Sequence, residues 1–289
     1  MNYQIFSDAT ADFSAEMLEG LPEAVIIPMN ITVDGQSYVY GPEGDITEEE
    51  FYELIRQGKM ASTSQVNPYT YSEYFRKTLD EGKDLIYLCF TSGLSQNYRN
   101  ACLSMEELQE EYPDRKIIIL DTLCASVGQG FLLREALCRQ AEGMEMDALA
   151  EWVTQMRLKV CHWFTVDDLD SLRRGGRLST AAALMGTALK IKPLLHVDME
   201  GHLEAKEKQR GAKKAMASQI KRMEDGWTPK EGKLVVIGHG DAPDKAEELK
   251  ENVLKQFPDA QIYTAVIGPV IGAHTGPGML ALIFWGTER

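Results

Sequence analysis

The sequence predicts a two-domain α/β protein: a mostly parallel, three-layer sheet domain over residues 1–160 and a second, mixed-sheet α/β domain over 161–289. Three observations predict it. Short apolar runs alternate with helical patterns through the first half, as βαβ units require. The chain has 289 residues, and domains run to roughly 100–200 residues each. Near residue 160 the pattern changes, bringing in a hairpin and a different succession of strands and helices.

In the first half, residues 4–6 form a short strand ending at Ser7-Asp8. Residues 24–29 and 31–33 read as a strand region broken by Pro28, which cannot donate to a ladder. Asp34-Gly35 turns the chain into residues 36–40 as a small hairpin. Thr47 caps a helix over 48–57, and Glu50 three residues on completes a capping box. A further helix covers 69–80. The continuous apolar run 85–90 suits a parallel strand buried on both faces. A helix over 96–111 and a strand over 116–120 follow, then two amphipathic helices over 127–141 and 146–160.

In the second half, 162–166 is a strand and 167–174 a short helix stopped by Gly175-Gly176. Residues 179–189, with four Ala and one Gly, form a small-residue helix. A hairpin joins 191–197 to 202–208 through the turn 198–201. A basic helix over 211–224, a strand over 233–237 ending in Gly238-His239-Gly240, a helix over 243–256 and strands over 261–267 and 279–285 finish the chain.

The formal net charge is −14, from 44 acidic and 30 basic residues. Such a field repels polyanions, which argues against a nucleic-acid partner. An anionic ligand then needs a local site. No apolar run approaches the length of a membrane span, and residues 1–12 have neither a basic nor an apolar leader segment, so a cytoplasmic location is expected. The five cysteines are scattered without C-x-x-C spacing; they read as reduced core residues, and no metal or cofactor is expected.

Three polar segments interrupt apolar surroundings: Ser62-Thr63-Ser64-Gln65, Thr91-Ser92-Gly93-Leu94-Ser95, and residues 267–278 around His274. The second lies between a strand and a helix, where unpaired N–H groups, hydroxyls and the helix dipole can form an anion site; Ser92 or Ser95 can equally be a plain N-cap. Thr63 alone reads as an ordinary loop residue. Four glycines and two prolines bracket His274, prescribing an unusual loop path. The cluster Arg173-Arg174-Gly175-Gly176-Arg177 offers either a neutralised helix end or a cationic rim.

Together these segments resemble the DegV family, which includes the fatty-acid-binding subunits of bacterial fatty acid kinase. The resemblance covers almost the whole chain, adding Ser7-Asp8-Ala9-Thr10-Ala11-Asp12, Val166-Asp167-Asp168-Leu169 and Lys192-Pro193 to the segments above. It implies a long lipid tunnel, with the carboxylate-binding loops in the first domain and the His274 loop in the second. The family's Thr and Ser that hold the fatty-acid carboxylate map to Thr63 and to Ser92 or Ser95. Its His and two Arg near the head group map to His274, Arg177 and Arg210, the arginines at the rim or at a partner-docking surface. The family relationship further implies two partners, a long-chain fatty acid and an ATP-binding kinase subunit that makes the acyl-phosphate for phospholipid synthesis, and no catalytic residue in this chain. Val66-Asn67-Pro68 and Gln96-Asn97 depart from the family's frequent Pro-Ser-Pro and Gly-Thr, the second at a helix start. Helix 179–189 is a candidate tunnel wall.

Other readings remain open on the residues alone. A serine hydrolase would pair Ser92 or Ser95 with His274, without a G-x-S-x-G elbow. The same fold could bind another small anionic or regulatory ligand. A nucleotide enzyme would lack both common glycine-rich phosphate motifs.

Overall fold

The computed structural model describes residues 2–167, 169–177, 191–287 and 289. Three sheets organise them. The first, in the order β2-β1-β6-β7, is parallel throughout: β2 (Val25–Ile27), β1 (Tyr3–Asp8), β6 (Asp84–Cys89) and β7 (Ile117–Asp121). The second is a small antiparallel sheet of β4 (Gln36–Tyr40), β3 (Met29–Val33) and β5 (Ala61–Thr63). Pro28 therefore does more than interrupt a strand. It marks where the chain leaves one sheet for another.

The third sheet has six strands in the order β10-β9-β8-β13-β11-β12. These are β10 (Leu203–Arg210), β9 (Ile191–Val197), β8 (Val160–Thr165), β13 (Leu280–Trp285), β11 (Leu234–His239) and β12 (Gln261–Val266). Only β11–β12 is parallel among them. The last strand in sequence thus sits in the middle of the sheet, between β8 and β11.

Helices α3 (Pro68–Asp80) and α4 (Asn97–Glu111) cover one face of the parallel sheet. Helices α5 (Val127–Ala141) and α6 (Met146–Met156) cover the other. The far face of the six-stranded sheet carries α8 (Ala212–Gly226) and α9 (Pro243–Gln256). Between the two large sheets lies α5, which touches β6, β8, β11 and β13. Its sequence suggested an amphipathic helix, but Phe131, Leu132, Leu133, Ala136 and Leu137 are all fully buried. A helix enclosed on both sides has no solvent stripe to leave polar. The following helix also ends sooner than its apolar pattern indicated, at Met156, because a 3₁₀ turn (Arg157–Lys159) leads directly into β8.

Glycines let α5 fit. A Cβ on Gly128 would lie 1.9 Å from His162 Nε2, and one on Gly130 would lie 2.0 Å from the Asp12 carbonyl oxygen. The largest apolar cluster consequently runs from Ile5 and Leu88 through Phe131 to Phe164 and Trp285, crossing residue 160.

Thr47 and Glu50 form the expected capping box at the start of α2 (Glu48–Arg56). The remaining helices are α1 (Ala15–Leu18), α7 (Asp170–Arg174) and α10 (Pro269–Thr275). The small-residue helix expected over 179–189 lies outside the described residues.

Candidate functional site

Beyond the first turn of α5, between the sheets, is a cavity of about 780 Å³ counting its open mouth. Its walls are apolar over most of their extent. Met29 and Phe90 come from the first half of the chain, Phe164, Ala281 and Ile283 from the six-stranded sheet, and Val270 and Ile271 from α10. Polar groups gather at the mouth, where Thr63, Arg177 and His274 also line an outer groove beside Ser62, Met60 and Arg174.

Each mouth residue is placed by a specific local feature. Thr63 ends β5, a three-residue strand paired to β3 with Thr63 opposite Ile31, where the sequence had suggested a loop. His274 rides on a short helix, not on a loop. Gly268 is the N-cap of α10, Pro269 takes the first helical position where no N–H is needed, and Gly276 ends the helix at φ +71°. Thr63 Oγ1 lies 2.8 Å from His274 Nε2.

The other ring nitrogen, Nδ1, is buried with no partner among the described residues and packs against Gly175, where a Cβ would come within 2.2 Å. A buried unpaired N–H costs more than an unpaired acceptor. The imidazole is therefore assigned its proton on Nε2, donating to Thr63 Oγ1. That frees the Thr63 O–H to donate into the cavity. Burial, and then the Arg177 charge, push the His274 pKa down to about 4, so the ring is neutral near pH 7.

Arg177 donates from Nε to the Leu94 carbonyl at 3.1 Å and from Nη1 to the Gly175 carbonyl at 2.5 Å. It thereby ties the Ser92–Ser95 loop to the glycines after α7. Ser95 faces the cavity, and its hydroxyl accepts from the Asn97 amide at 3.2 Å. Ser92 does not join the site. It is exposed, and its amide donates to Asp121 Oδ1 at 3.2 Å.

The loop differs from the open anion cradle suggested by its composition. Gly93 N–H donates to Thr91 Oγ1 at 3.1 Å and Leu94 N–H to the Thr91 carbonyl at 3.2 Å. Gly93 is required by the hairpin turn of β9–β10, because a Cβ there would lie 2.7 Å from the Gly201 carbonyl. Among the described residues, only the Ser95 and Gln96 amides of this loop lack an acceptor. Arg210 is exposed at the end of β10, opposite Ile191, and is not on the cavity wall.

Several wall residues had not been singled out from sequence. Ser126, just before α5, has φ 54° and ψ −131°, a conformation costly for a side chain. Its hydroxyl donates to Asp12 Oδ2 at 2.5 Å, and the Gly268 amide donates to Asp12 Oδ1 at 2.8 Å. One buried carboxyl therefore joins the starts of α5 and α10, two walls of the cavity. Burial, reinforced by Glu48 and Asp8, pushes the Asp12 pKa up to about 7 despite those bonds. Thr10, also on the wall, lies 2.8 Å from Gln129 Oε1 and contacts Asp8, whose pKa burial likewise raises. The available signal was Ser126-x-Gly128-x-Gly130, glycines opening a helix where neighbouring backbone and rings approach closely.

The family model for uncharacterised proteins of the DegV family matches residues 2–286. The chain belongs to the DegV family. A DegV domain-containing protein of Clostridium perfringens is 37% identical over 287 residues, spanning 99% of this chain and 98% of that one. A DegV protein from Thermus thermophilus, whose structure describes fatty acid binding, superposes with a TM-score of 0.86 at 28% identity, over 99% of this chain and all of its own. The B3 protein of fatty acid kinase from Streptococcus pneumoniae, loaded with linoleic acid, shares the fold alone, with a TM-score of 0.86 at 22% identity and 99% of each chain covered. The two-domain DegV architecture, a parallel sheet and a separate mixed sheet, is thus the one seen here. Among the described residues no helix is long and apolar enough to cross a membrane.

Proposed function

We propose that the chain binds a long-chain fatty acid with its tail in the apolar cavity and its carboxylate at the mouth, where Thr63 and Ser95 hold it beside His274. The observation that carries this reading is a mostly apolar void with Thr63, Arg177 and His274 gathered at its mouth. An acyl chain needs both environments. Each buried CH₂ contributes about 0.8 kcal/mol, so a sixteen-carbon tail contributes roughly 10 kcal/mol before ordering costs. A carboxylate buried without partners would forfeit much of that.

The proposed head-group site is made of hydroxyls and a neutral imidazole, with one guanidinium at its edge. Arg177 already donates two bonds to backbone carbonyls, which argues against a bidentate clamp on the ligand. A carboxylate held by hydroxyls keeps an oxygen available to a phosphoryl donor. This supports presentation to a separate ATP-dependent kinase subunit, with Arg177 and the neighbouring Arg174 of the outer groove serving the phosphate or that partner; Arg210, which is exposed and does not line the wall, is assigned to docking. Binding without chemistry fits His274, whose Nδ1 has no acidic partner among the described residues.

Mass spectrometry of the protein as purified, released under denaturing conditions, should detect a fatty acid in near-stoichiometric amount. Absence of lipid, together with no thermal shift from any C14–C18 acid, would refute the proposal and favour a different small anion. Acyl-phosphate formation that requires this protein, ATP and a kinase subunit together tests the presentation step.

A further inference from the structure

The cavity has a direction. Its mouth lies at Thr63, Arg177 and His274, beside the end of α10. From there the wall runs inward from Met279 along β13 through Ala281 and Ile283, with Ala281 opposite Phe164 and Ile283 opposite His162 on β8. Alternate strand residues are about 7 Å apart, so His162 lies one such step deeper than Phe164. The next pair, Val160 and Trp285, is no longer on the wall; Trp285 packs edge-on against Phe131 of α5, with ring centroids 4.8 Å apart. The last step that faces the void therefore carries an imidazole.

That ring cannot yield backwards. Nδ1–H donates to the Val160 carbonyl at 2.8 Å, and Nε2 accepts the Ala125 amide at 3.4 Å. Behind it stands Gly128 on the first turn of α5, where even a Cβ would overlap the ring. The residue is 3% exposed. With both nitrogens bonded, the ring is held as a fixed, rigid face against the apolar void.

We propose that His162 is the end-stop of the acyl cavity and, braced by Gly128, sets the longest chain the protein holds. The inference rests on the fatty-acid reading above and adds the specificity-determining residue. It predicts opposite changes from two substitutions on different elements. His162→Ala opens space at the closed end and shifts the preferred chain to longer acids. Gly128→Ala drives the ring into the void and shifts it to shorter ones. Each methylene accommodated or expelled changes affinity about fourfold, so a two-carbon shift of the optimum is read as roughly fifteenfold in relative affinity.

The test is competitive displacement of a fluorescent fatty acid by saturated acids from C12 to C20, on the full chain and both variants, with circular dichroism to verify folding. If the unsubstituted protein binds none of the series, the fatty-acid reading itself fails. If it binds and His162→Ala leaves the optimum unchanged or shortens it, only the end-stop assignment is overturned. His162→Val, which also shortens the side chain and suits a strand, replaces His162→Ala if that variant does not fold, and the same outcome counts equally against the assignment. Should Gly128→Ala bind with an unchanged or longer optimum, the bracing role is refuted.

Discussion

Replacing Thr63 by valine removes one hydroxyl and almost no volume, which makes it the sharpest probe of the head-group site. Thr63 Oγ1 stands 2.8 Å from His274 Nε2, and with the imidazole proton on Nε2 the Thr63 O–H is free to donate to the proposed carboxylate. Thr63→Val therefore removes one donor from the carboxylate and one acceptor from His274. Leaving a charged acceptor short of one bond costs about 1–3 kcal/mol, or roughly 5- to 150-fold in Kd. The second loss weakens the ligand-free protein, and thermal unfolding without lipid reports it separately. Thr63→Ser, which keeps the hydroxyl, should recover most of the affinity. The assay is displacement of a fluorescent acid from delipidated protein. If Thr63→Val lowers the unfolding temperature but leaves Kd unchanged, Thr63 serves only to hold His274, and the carboxylate lies elsewhere.

Four other substitutions probe the site and its surroundings. Asp12 has its pKa raised by burial from the ordinary 3.8 to about 7; between these values the native state keeps a proton the unfolded chain loses, so its contribution to stability falls as pH rises through that window, by roughly 4 kcal/mol. Asp12→Asn removes this slope, and its stability relative to the original protein should climb between pH 4 and pH 8 in denaturant titrations; parallel profiles would contradict the assignment. Gly175→Ala places a methyl 2.2 Å from His274 Nδ1 and should displace the ring and reduce lipid retention. Gly176→Ala instead costs about 1–2 kcal/mol of stability through its left-handed backbone, at φ +68° with open space around it, and should leave binding unchanged. Arg177→Ala should retain lipid yet impair acyl-phosphate formation with a kinase subunit; loss of lipid would move Arg177 from the rim into the binding site.

Local patterns made much of this protein legible in advance. The capping box at Thr47 and Glu50, the buried strand β6 and the alternation of strands and helices follow from backbone chemistry that acts over a few residues. Thr63, Ser95, His274 and Arg177 could be named because polar, glycine-rich segments in apolar surroundings are unusual and because their order matches a family. The choice between Ser92 and Ser95 was not legible. It depends on which side of a tight loop faces inward, and that is decided by Asp121 drawing the Ser92 amide outward and by the β9–β10 turn pressing on Gly93.

By itself the sequence determined the two-domain α/β class, the identity of the polar segments and the lack of a membrane-spanning helical run. Tertiary structure alone decided that α5 would be enclosed between two sheets, that β13 would sit between β8 and β11, and that Ser126, bonded to Asp12, and His162 would meet one cavity. The physical reason is range. Capping, turns and periodicity are satisfied within a few residues, whereas a cavity is the space left when segments more than a hundred positions apart pack, and its shape depends on contacts as small as the missing Cβ of Gly128.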